Sequence, residues 1–110
     1  MRRLCAMLLA VTLLSAPLRA HAQNYHRIGL GTSSCGSWTA DRVQPVSVEA
    51  QVSQQWVVGF LSGVGFQGPE DPLNDTDADG VWAWIDNYCH AHPLEKIGAA
   101  AAAFVHAHPH

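Results

Sequence analysis

The chain of 110 residues is poor in positive charge and in cysteine, and it holds a single long apolar run. Six basic residues face nine carboxylates, and lysine occurs once, at Lys96. Neutralising phosphates takes a basic surface, so the composition argues against a nucleic-acid partner. Signatures of catalysis are missing as well. There is no Ser-His-Asp elbow and no paired-carboxylate motif, and no cysteine is left over to act as a free nucleophile. Gly29, Gly31 and Gly36 lack the strand, turn and helix that make a glycine-rich segment a phosphate cradle. The expectation is a protein that is not an enzyme and carries no cofactor.

The apolar run has a specific meaning. Leu4 to Ser15 follows Arg2 and Arg3, is broken by Pro17, and leads to Ala20-His21-Ala22 before Gln23. A basic start, a short apolar stretch and an A-x-A site make an export signal over residues 1–22. A retained N-terminal anchor is the alternative, but a dozen apolar residues fall short of the about 20 that span a bilayer as a helix. Cys5 lies in this segment and leaves with it. The expected product is one small soluble domain, residues 23–110, periplasmic or secreted, with no membrane insertion. It keeps three basic residues (Arg27, Arg42 and Lys96) against nine carboxylates, a net charge of −6 with histidine neutral. Its histidines would cancel most of that charge on acidification to about pH 5.

Two cysteines remain, Cys35 and Cys89. In an oxidising compartment they are expected to pair, and a paired cysteine serves neither as nucleophile nor as metal ligand. Two free buried thiols are the competing possibility. A domain this size has room for one modest core and gains from such a staple.

The rest reads as all-α, a small bundle of about four helices behind an irregular lead-in at residues 23–34. A short helix is expected around Cys35-Gly36-Ser37-Trp38, ending before Pro45. The second starts at the Ser47 cap, with Glu49 in its first turn and Val57, Phe60, Leu61 and Val64 on one face. Gly59 and Gly63 interrupt it, each costing about 1 kcal/mol relative to alanine. Their expected role is close approach by another backbone, that of the helix carrying Cys89. A strand over Trp56 to Leu61 is the rival reading. Gly65 to Asn74, with Gly68, Pro69 and Pro72, reads as loop. Val81, Trp84, Ile85, Tyr88 and Cys89 form the stripe of the third helix. Pro93 is expected to open the fourth at its first position, with Leu94, Ile97, Ala101, Phe104 and Val105 on one face.

Some residues could carry chemistry or contact. Asp75, Asp77 and Asp79 precede Gly80 like the start of a calcium loop, with Asp86 where a bidentate carboxylate would fall. Helix capping is the favoured account of the three aspartates, because Pro69 and Pro72 deny the loop an incoming helix and the stripe from Val81 needs helix where the loop would still be turning. His90, His92, His106, His108 and His110 lack the fixed spacing of structural zinc, and the terminal ones are expected to fray. Trp82 lies a quarter turn from the buried stripe, as either a partner anchor or a cap on the core rim. Trp56 and Phe66 complete the candidate partner-binding set.

An early cysteine, then Trp56-x-x-Gly59-Phe60-Leu61-x-Gly63, Asp79, Tyr88-Cys89-x-x-x-Pro93 and an alanine-rich helix resembles the HdeA/HdeB-like periplasmic proteins. The aromatic-x-x-Gly segment and the late cysteine before a proline-led helix also resemble the Tai-type immunity proteins of type VI secretion. Either resemblance implies a small helical periplasmic fold whose disulfide ties an early segment to a later helix. The first implies acid-stress binding of client proteins. The second implies inhibition of a cell-wall-degrading effector by direct binding. Few lysines and a tryptophan- and alanine-rich apolar set depart from the acid chaperones.

Overall fold

The computed structural model describes residues 25–110. The segment expected to be an export signal, its expected cleavage site and Cys5 lie outside the described residues. Four helices follow a 3-10 turn at Leu30–Thr32: α1 (Cys35–Arg42), α2 (Val48–Gln67), α3 (Ala78–Ala91) and α4 (Ile97–Ala107). Among the described residues there is no strand, only an isolated antiparallel bridge between Ser34 and Lys96. The fold is a small all-α bundle closed by a disulfide between Cys35 and Cys89, with sulfurs 2.08 Å apart.

Side-chain oxygens start three of the helices. Ser34 accepts from Ser37 N–H, Ser47 from Ala50 N–H and Asp77 from Gly80 N–H, each satisfying a backbone donor that the helix leaves unpaired. The fourth helix begins differently from expectation. Pro93 does not open it; α4 starts at Ile97, and Leu94 is 93% exposed. The backbone before it is used elsewhere. Cys35 N–H donates to the Glu95 carbonyl (2.7 Å), Gly36 N–H to Pro93 (3.0 Å), and Ile97 N–H to Ser33 (2.9 Å). These bonds, between residues about sixty positions apart, tie the turn at residues 93–95, itself closed by Glu95 N–H on the His92 carbonyl (3.0 Å), to the start of α1, which leaves no helical geometry for Pro93 to initiate.

The core is built from Cys35, Trp38, Val57, Leu61, Val81, Ile85, Cys89, Ile97, Ala100, Ala101 and Phe104. In α3 the expected stripe is in place: Val81, Ile85 and Cys89 are fully buried, with Trp84 and Tyr88 half-buried beside them. Trp84 meets the Phe104 ring edge-on at 5.3 Å, and Phe104 stacks on His108 at 4.1 Å. His108 also bonds through Nδ1 to the Phe104 carbonyl, and the His110 carbonyl accepts from Asp71 N–H. The chain's end is therefore held by specific contacts rather than frayed.

The lead-in is packed closely. Gly29 adopts a φ of +85°, open to glycine but strained for other residues. Gly31 is buried under the Trp56 ring, whose atoms lie 2.1 Å from where a Cβ would stand. Trp56 Nε1 donates to the Ile28 carbonyl at 3.0 Å, and Phe60 stacks on Trp56. Trp56 thus fastens the lead-in to α2.

Candidate functional site

The sequence offers two places for chemistry, and the structure has used both for other ends. Cys35 and Cys89 are fully buried and bonded to each other, which removes both thiols. Asp86 is not gathered with Asp75, Asp77 and Asp79. It projects from α3 toward α1 and accepts from Trp38 Nε1 (2.7 Å) and, in a fork, from Arg42 Nε and Nη2 (2.9 Å each). Trp38 is fully buried, so Asp86 satisfies a donor that has no water to turn to. Arg42 is held above the ordinary arginine range, first by its hydrogen bonds to Asp86, against the opposing effect of burial, with a further contribution from the charge of Asp79.

Asp77 caps α3, and Asp79 lies in its first turn, where the helix dipole favours negative charge. Among the described residues no three histidine, cysteine or carboxylate side chains come together as metal ligands would. Trp82 is half-buried against the core, and its indole nitrogen is buried without a hydrogen-bond partner. Trp56 is committed to the lead-in. Of the three candidate anchors, Phe66 alone stands out from the fold, at 92% exposure.

Phe66 belongs to a larger feature. Helix α2 has twenty residues, and one of them, Glu49, is charged. Its inner side buries Ala50, Ser53, Gln54, Val57 and Leu61. At 100° per residue, Val48, Val52, Gln55, Gly59, Gly63 and Phe66 fall together on the opposite side, and all are exposed. Glu49 stands about a quarter turn away from that line. The exposed side mixes Val48, Val52 and Phe66 with the uncharged polar side chains of Gln51, Gln55 and Ser62. The helix is nearly free of charge all round, yet the described residues cover one side of it.

The glycines correct an expectation. A Cβ built on Gly59 or Gly63 meets nothing within 4 Å, so none of the described residues brings its backbone close to them. They line a shallow apolar trough with Phe60, Val64, Gln67 and Gly68. Phe60 and Val64 form a ridge, and beyond it a second apolar groove runs between α2 and α4, lined by Tyr25, Ala102, Val105 and His106. Sequence reasoning found Phe66 and both glycines but placed the glycines inside. The missed signal was the near absence of charge around the whole of α2. Helix α2 also runs to Gln67, so the loop begins three residues later than its glycines and prolines suggest.

No protein-family model, no curated protein and no solved structure matches the chain. No helix among the described residues is long and apolar enough to cross a membrane.

Proposed function

We propose that this chain is an exported, non-catalytic domain that binds another protein through the outer side of α2. One observation carries the reading: an uncharged helical face, with Phe66 standing free at its end, is presented by the folded and stapled chain. Aromatic side chains that bury fully on association are frequent anchors of protein interfaces, and uncharged centres are what such interfaces favour. The residues that might have supported chemistry are engaged in holding the fold. The disulfide fits an oxidising compartment.

Because the face is available without any rearrangement, it favours a stoichiometric complex at neutral pH. That is the behaviour implied by the resemblance to effector-inhibiting immunity proteins. Acid-triggered client binding is the second reading, the one implied by the resemblance to the acid-stress proteins. The Arg42–Asp86 ion pair between α1 and α3 is the contact that such a loosening of the fold would have to break. The experiment is a pull-down from periplasmic extract with the oxidised chain, at neutral pH and at about pH 3, each repeated with Phe66→Ser. A partner captured at neutral pH and lost with Phe66→Ser supports the first reading. Capture only in acid, together with exposure of dye-binding apolar surface, supports the second. Capture at neither pH, or capture indifferent to Phe66, overturns the docking reading.

A further inference from the structure

The uncharged side of α2 carries its own complement. Gly59 and Gly63 sit one turn apart and leave a trough with no side chain in it, while Phe66 projects at the end of the same line. An uncharged line with the glycines near its middle, and Phe66 and Val52 towards its two ends, suits a twofold arrangement. Trough then meets trough, and each Phe66 meets the Val52 end of the other copy. Charge points the same way. The described chain holds three basic residues against nine carboxylates, so two copies repel wherever those groups face one another. The outer line of α2 is where copies can meet without opposing carboxylates.

We propose that a second copy of this chain covers the outer face of α2, the two helices running antiparallel and crossing at Gly59 and Gly63. This rests on the reading of that face as a protein-docking surface and names its occupant. Crossing midway between the glycines sets Phe66 of each copy against the Val52–Gln55 turn of the other. The absence of Cβ atoms at the crossing lets the backbones approach closely, a geometry that small residues four apart permit. A strip about 30 Å long and about 10 Å wide is small beside the roughly 800 Å² per partner of a standard stable interface. The dimer is therefore weak and concentration-dependent, and can give way to a tighter partner.

Sedimentation equilibrium of the oxidised chain over about two decades of concentration reads this directly. The wild type should pass from monomer to dimer. Gly63→Glu places like charges against each other at the crossing and should weaken association by about tenfold or more. Nothing lies within 4 Å of the new Cβ in the monomer, so the variant should fold normally by circular dichroism. Phe66→Ser, a surface change, provides a second disruption and should also shift the curve toward monomer. A wild type monomeric throughout, or a dimer unmoved by both variants, overturns self-pairing. The docking reading is judged apart, by whether Gly63→Glu releases a captured protein in the pull-down. Loss of that protein with a monomeric wild type would leave a docking face whose occupant is not a second copy.

Discussion

Glycine is used in two opposite ways in this molecule. On the lead-in side, Gly31 lies beneath Trp56, and Gly98 faces Arg27 and the Gly31 carbonyl, with atoms under 3 Å from where a Cβ would be. There the missing side chain is filled by the protein itself. On the outer side of α2, Gly59 and Gly63 face open space. Each interior glycine costs a helix about 1 kcal/mol relative to alanine, and no contact among the described residues offsets it. The stapled side is finished, with cysteines joined, Trp38 satisfied and caps in place. The outer side of α2 is uncharged along its length and uncovered by the described residues.

The largest effect should come from the finished side. Replacing both Cys35 and Cys89 by serine frees a 54-residue separation, worth about 4 kcal/mol in the loop-entropy description. Urea denaturation should show that loss, and an unchanged midpoint would contradict the staple's importance. Next comes the clamp: Asp86→Ala leaves the buried Trp38 Nε1 without an acceptor, at a cost of about 1–3 kcal/mol. Asp86→Asn keeps an acceptor and should cost less. Equal losses for the two would place the effect in charge alone.

Gly31→Ala forces a methyl into the Trp56 ring and should destabilise by about 1–3 kcal/mol, measured in the same way. Alkali should do little. The folded-state value of Arg42 is raised, so its contribution is complete below the ordinary arginine range and is lost only as pH climbs through that raised value. Stability titrated upward from neutral pH should therefore show no step assignable to Arg42 before strong alkali. A loss in Arg42→Gln that fades at mildly alkaline pH would count against this.

How much of this was readable beforehand depended on sequence distance. The Ser47 cap and the Val81, Ile85, Cys89 stripe are local patterns, and both appear in the structure where they are expected. The disulfide was expected from the two cysteines outside the first 22 residues and from the oxidising compartment that the N-terminal segment suggests. Pro93 misled because its local signal was overruled by backbone bonds to Cys35 and Gly36, which no nearby residue announces. The pairing of Arg42 with Asp86 spans 44 positions and was equally silent. Gly59 and Gly63 were visible as glycines, but spacing cannot say what stands opposite them. Phe66 was named as a candidate contact residue without the uncharged line that joins it to Val52 and the two glycines.

A change that should stabilise the monomer decides the most. Gly59→Ala/Gly63→Ala should raise the unfolding free energy of the dilute chain by about 2 kcal/mol, since both sites are open and alanine is the better helix former. The same double variant, compared with wild type in sedimentation equilibrium, should associate more weakly because the helices can no longer approach as closely. More stable alone and weaker in company is the predicted result. A double variant that is destabilised when dilute, or that associates as strongly as wild type, would contradict the claim that these glycines serve a surface beyond the chain.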